Sequence, residues 1–149
     1  MQNMYLGHRT FLRKAVSLQS ETKLSIKMNT IGNIIWLLFG GIIIALIYYV
    51  IGLLMCITVV GIPFGVQLFK IGTYALWPFG HELVNGPNEP GCLSTVMNVI
   101  WILLGWWEIA AIHLVCGLLF CITIVGIPWG VRHFKMAIGS LFPFGKEIR

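Results

Sequence analysis

Cys56-Ile57-Thr58-Val59-Val60-Gly61-Ile62-Pro63-Phe64-Gly65-Val66 returns sixty-five positions later as Cys121-Ile122-Thr123-Ile124-Val125-Gly126-Ile127-Pro128-Trp129-Gly130-Val131. Working outward without a gap aligns Thr30–Val84 with Thr95–Arg149, with 29 identities in 55 positions. Asn33, Trp36, Gly52, Phe69, Lys70 and Glu82 match Asn98, Trp101, Gly117, Phe134, Lys135 and Glu147, and Pro78-Phe79-Gly80 closes the first copy as Pro143-Phe144-Gly145 closes the second. The chain is an internal duplication, so the fold is one supersecondary unit built twice.

The medium of that unit follows from charge. Of 149 residues 58% are hydrophobic and 10% charged, with mean hydropathy +0.88, whereas a soluble domain carries about 25% charged residues. No Lys, Arg, Asp or Glu occurs from Met28 to Phe69 or from Ile109 to Val131. The first run has 42 residues; as one helix it would reach about 63 Å against about 30 Å of hydrocarbon, so it must turn back. No signal-peptide cleavage pattern precedes it, which makes the first span an uncleaved anchor. The pattern predicts spans at residues 31–49 and 53–70 in the first copy and 97–115 and 118–135 in the second, turning near Gly52 and Gly117. An alternative is a second segment that enters halfway and returns at Pro63 and Pro128.

Beyond each proline, Gln67, Lys70 and Tyr74 recur at helical spacing, and Arg132 and Lys135 repeat the pattern. This reads as a helix along the cytoplasmic interface, anchored by Trp77 and Phe142 and ended by Pro78 and Pro143. The expected fold is therefore an all-α integral membrane protein of duplicated helical hairpins, about four transmembrane or partly re-entrant helices, with interfacial amphipathic helices. Residues 1–27 form a basic tail, read as disordered, as a short surface helix, or as lying upstream of a working start at Met28. Residues 28–84 are the first membrane repeat, 85–94 a turn-rich cytoplasmic linker, and 95–149 the second repeat.

All ten Lys and Arg residues fall on one side of this arrangement. The positive-inside rule places that side, with both termini and the Pro78–Cys92 loop, in the cytoplasm. An even number of segments per copy makes the copies parallel and speaks against an inverted-repeat transporter.

The assembled residues resemble the YccF family, the bacterial inner-membrane component domain. The resemblance rests on Asn33-Ile34-Ile35-Trp36, Gly40-Gly41, the Cys56–Gly65 stretch, Ala75-Leu76-Trp77-Pro78-Phe79-Gly80, Gly105-Trp106-Trp107, His113 and the second Gly-Ile-Pro copy, and covers Met28 to Arg149. It implies a small duplicated protein of the bacterial inner (plasma) membrane, and it carries no biochemical role with it. Two features depart from the family pattern: the segment Met1–Lys27, and Glu108, where an apolar residue is expected.

The candidate functional residues follow from what a bilayer makes costly. Gly61, Pro63 and Gly65, with Gly126, Pro128 and Gly130, combine close backbone approach with a broken hydrogen-bond ladder: a kinked packing seam, or a polar path lined by Thr58, Thr123 and the carbonyls freed at Val59 and Ile124. Asn33 and Asn98 in equivalent first turns are interhelical glue, or a ring of amides around an oligomer axis. Glu108 is the one acidic residue inside an expected span; it is either functional or seated at the outer interface beside Trp106 and Trp107. His113 lies about 140° round the helix from it, which disfavours an acid–base pair. Lys70, Arg132 and Lys135 suit anionic lipid headgroups.

Cys56, Cys92, Cys116 and Cys121 have neither metal-ligand nor redox spacing, and neither a nucleophile elbow, a Walker loop nor a carboxylate cluster is present. The sequence thus points away from an enzyme, a metal, a cofactor or nucleic acid. Two functions remain. One is a homo-oligomer with passive ion or small-solute conduction; the other is a non-conducting scaffold or accessory protein that binds lipid or a partner through its basic and aromatic cytoplasmic face.

Overall fold

The computed structural model describes residues 2–86 and 91–149, with side chains from residue 11 onward. Helix α1 runs unbroken over Gln2–Trp36 and takes in the basic segment from residue 2. A π-helical turn at Leu37–Gly41 then bends the chain at Gly40, whose φ of +123° an L side chain resists. Helix α2 (Ile42–Met55) descends to a turn and α3 (Ile62–Leu76) returns antiparallel to it. After strand β1 (Leu83–Asn85) the second copy repeats the pattern: α4 (Cys92–Trp101), a break at Gly105 (φ +93°), α5 (Trp107–Cys121), a single 3₁₀ turn, α6 (Ile127–Leu141) and strand β2 (Lys146–Ile148). Pro87–Pro90 of the expected linker lie outside the described residues. The all-α fold of duplicated helical hairpins is as expected, with the small β1–β2 ribbon added. Two helical stretches, Phe11–Met55 and Cys92–Cys121, are long and apolar enough to cross a membrane.

The hairpin turns fall at residues 56–61 and 122–126, beyond the expected Gly52 and Gly117. Those two glycines are helical, and the reason is packing. A Cβ on Gly65 would stand 2.6 Å from the Gly52 carbonyl oxygen, and one on Gly130 2.8 Å from that of Gly117. Small residues here let the two arms of each hairpin touch backbone to backbone. Pro63 and Pro128 begin α3 and α6, where a missing N–H costs nothing, so they start helices rather than kink them.

The two copies are related by an approximate two-fold axis, because equivalent residues meet one another. Leu83 pairs with its own equivalent Ile148 in the antiparallel ribbon, and Tyr48 meets its equivalent His113. Off the axis, contacts exchange copies: Phe64 packs edge-on against Phe144, and Phe79 against Trp129. The start of each returning helix therefore lies against the end of the other copy's, and α3 and α6 run in opposite senses.

Along the axis the molecule has three layers. The α3/α6 pair is the middle one, since a Cβ on Gly72 would meet Tyr48 of α2, while one on Gly139 would meet Leu83 of the ribbon. The core of Trp36, Leu68, Ile71, Trp101, Met136 and Phe144 lies around this middle layer. The ribbon pole carries Glu82, Lys146, Glu147 and Arg149. The opposite pole, α2 and α5 with the hairpin turns, is an apolar surface on which Val59 is 84% and Ile124 87% exposed, interrupted by the exposed Glu108 in the first turn of α5.

Candidate functional site

Asn33 shows why each copy folds as it does. Its amide donates to the Phe79 carbonyl and accepts from the Phe79 N–H, both at 2.8 Å, while the Trp36 indole donates to the Ala75 carbonyl at 2.7 Å. Asn98 grips Phe144 and Trp101 grips Ser140 at identical sequence separations. Both asparagines are buried, their hydrogen bonds spent on the peptide that ends their own hairpin. Thr58 and Thr123 accept from the N–H of Gly61 and Gly126, securing the exposed turns. The Gly-x-x-x-Gly seams are used inside each hairpin, where Gly65 and Gly130 contact Cys56 and Cys121.

A buried polar chain crosses the axis. Tyr48 Oη lies 2.7 Å from His113 Nε2, and His113 Nδ1 lies 3.0 Å from His133 Nδ1. A neutral imidazole has one donor and one acceptor nitrogen, so the two bonds must point the same way and reverse together. Trp36 and Phe120 pack on His133, and a cavity of about 220 Å³ bounded by Ile47, Ile51, Ile112 and Cys116 opens beside the chain. Glu108 takes no part: it is exposed in the first turn of α5, where the helix N-terminus favours a carboxylate.

The ribbon pole gathers the cations. Lys70 donates to Gln67 Oε1 and, across the copies, to the carbonyls of Pro143 and Lys146, the latter at 2.9 Å, so its ammonium clasps the second copy's C-terminal segment. Its equivalent Lys135 pairs with Glu82 of the first copy. The Lys135 ammonium, by hydrogen bond and charge, holds the Glu82 carboxyl below its ordinary value. Arg132 lies 4.6 Å over the Phe79 ring. Between Lys135, Lys146, Glu82 and Gly139 is a cavity of about 160 Å³ walled by Tyr74, whose buried hydroxyl lies beside the Arg132 side chain.

The structure thus brings Lys70, Arg132 and Lys135 to one pole and His113 to the axis, and it separates Glu108 from His113. Tyr48, His133, Lys146 and the two indole donors were not among the sequence's candidate residues, and Tyr74 stood there only in the interfacial helix pattern. Only the repeat offset, which superposes Tyr48 on His113, hinted at any of them.

The "Inner membrane component domain" family, YccF, matches this chain twice, over residues 31–81 and 96–146. Among curated proteins, "Inner membrane protein YccF" of Escherichia coli (strain K12) is 29% identical over 130 residues, covering 81% of this chain and 87% of the relative. The protein of the same title from Shigella flexneri matches to the same extent. No solved structure matches.

Proposed function

Because the chain belongs to the YccF family of inner membrane components, we propose that it is a non-conducting accessory module, seated in the membrane by its apolar pole, that holds anionic lipid headgroups at its ribbon pole. The observation that carries this is the axial segregation of charge. Glu82, Lys135, Lys146 and Arg149 share one pole with the cross-copy clasp of Lys70, while α2, α5 and the turns offer, apart from Glu108 at the start of α5, hydrocarbon-compatible surface at the other. Charge in the hydrocarbon is costly, so the axis stands along the membrane normal with the ribbon in water. The excess of Lys and Arg turns that pole to the cytoplasm. In this orientation α3 and α6 are re-entrant arms at the interface, and each basic side chain near the surface contributes about 1 kcal/mol toward anionic lipid.

Conduction through a homo-oligomer draws less support. Its expected lining groups, Asn33, Asn98, Thr58 and Thr123, are bonded within their own hairpins, and the glycine seams are already closed. Native mass spectrometry of detergent-solubilised protein offered phosphatidylglycerol and phosphatidylcholine tests the reading. Preferential retention of phosphatidylglycerol, reduced by Arg132→Gln with Lys135→Gln, is expected. Equal retention of both lipids, or conductance steps in planar bilayers, would overturn it.

A further inference from the structure

We propose that the cavity beside the Tyr48–His113–His133 chain binds one membrane-dissolved ring carbonyl, the chemistry of a quinone head, whose oxygen accepts from His133 Nε2. This goes beyond the lipid-binding reading and requires only that the apolar pole lies in hydrocarbon.

The first argument is a count of protons. When neutral, Tyr48 carries one O–H and each imidazole one N–H, a donor apiece. The chain makes only two bonds, Tyr48 to His113 and His113 to His133, so one donor is always left over at one of its ends. A phenolic O–H is the more acidic donor and an imidazole nitrogen the better acceptor, which favours Tyr48 donating to His113 Nε2 and His113 Nδ1–H donating to His133 Nδ1. The surplus N–H then sits on His133 Nε2. Among the described residues that nitrogen has no hydrogen-bond partner, and it is not one of the side-chain atoms sealed inside the protein. His133 is only 2% exposed, and the open space its side chain borders is this cavity.

The second is size and lining. Apart from the chain itself, the cavity of about 220 Å³ is walled by isoleucines of α2 and α5 and by Cys116. A buried water makes about three hydrogen bonds, and here it would find at most the two ends of the chain, whereas an apolar cavity of about 150 Å³ already admits benzene. The fitting occupant is an apolar body of about one ring, and the unspent N–H selects one that carries an acceptor oxygen. A hydrocarbon of the same outline leaves that donor unsatisfied.

The third is access. Ile47 and Ile112 border the cavity and are exposed on the apolar pole, so an occupant enters from hydrocarbon rather than from water. The bilayer core supplies no water to satisfy the surplus donor, which raises the value of a ligand that does.

The test uses full-length protein in nanodiscs dialysed against protein-free nanodiscs, so that partition into lipid cancels. The probes are duroquinone, whose fully methylated ring blocks addition of the free Cys116 thiol, and durene, its counterpart without carbonyls. Saturable one-to-one excess of duroquinone is expected, with durene about tenfold weaker, the scale of one hydrogen bond from a buried donor. His133→Leu, which borrows the equivalent residue Leu68, brings duroquinone down to the durene level. Cys116→Ile, which borrows Ile51, narrows the cavity and weakens both probes while leaving the chain in place. With ¹⁵N-labelled histidine in the parent protein, duroquinone shifts the His133 Nε2 resonance, a readout that stands even where His133→Leu does not fold. No saturable excess, equal binding of the two probes, a preference that survives in His133→Leu, or a His133 resonance that ignores the ligand overturns the site. Phosphatidylglycerol retention at the ribbon pole is a separate measurement, so the lipid-binding reading stands or falls without it.

Discussion

Replacing Asn33 by alanine removes both hydrogen bonds that fasten the Phe79 peptide to α1. The side chain is fully buried and the bonds are both 2.8 Å. The substitution therefore orphans a buried N–H and a buried carbonyl together. At about 1–3 kcal/mol for each unsatisfied group, the substitution costs about 2–6 kcal/mol. Asn98 is 8% exposed, with bonds of 3.1 and 3.0 Å, so Asn98→Ala falls in the lower half of that range. Thr30→Ala is the control: its exposed hydroxyl bonds only the Ile26 carbonyl of its own helix, and it should stay within about 0.5 kcal/mol of the parent. Thermal unfolding followed by circular dichroism in detergent orders the three, at about 2–4 °C per kcal/mol for a chain of this size. An Asn33→Ala protein that melts with the parent would refute the claim that these amides close the hairpins, and would return them to the pool of residues free to line a path.

Gly65→Ala and Gly130→Ala each drive a methyl to 2.5 Å from a cysteine sulfur; about 1–3 kcal/mol of overpacking should appear as a lower melting temperature. Gly40→Ala meets no atom within 4 Å yet must adopt φ near +123°, so about 1–2 kcal/mol of backbone strain alone is expected in the same assay. The Lys135–Glu82 pair should follow the carboxylate rule: with Glu82 depressed, the pair persists above the ordinary Glu value near about 4.3 and opens only as pH falls through the lowered one. The ¹³C titration of the Glu82 carboxyl should move back up in Lys135→Gln, and a midpoint that does not move would exclude the pairing.

The duplication and the membrane setting were legible because both are one-dimensional properties, identity at a fixed offset and long uncharged runs. The turn position was not. Val50-Ile51-Gly52 has the glycine of a turn, but that glycine serves contact with Gly65, and the real turn, Cys56–Gly61, is nearly as apolar as the helices around it. Its polar groups are met by Thr58 and by backbone carbonyls within the turn, so its composition does not announce it. The candidate site was half legible: Lys70, Arg132 and Lys135 showed by charge, whereas the groups that Lys70 and Lys135 hold, the Pro143 and Lys146 carbonyls and Glu82, belong to the other copy, a relation that no window along the chain contains. Asn33 and Asn98 were marked as amides for bonding, but their partner, a peptide 46 residues away, is a tertiary fact.

The two-fold axis has a further consequence at Tyr48 and His113. A dimer of identical single-copy chains can set only a residue against itself on its axis, phenol against phenol or imidazole against imidazole. Joining the copies in one polypeptide lifts that restriction, and here the two axial positions have become unlike groups that complement each other, the chain continuing to His133 where the first copy keeps Leu68. The tandem arrangement thus provides what self-assembly of one repeat could not: a centre with a direction.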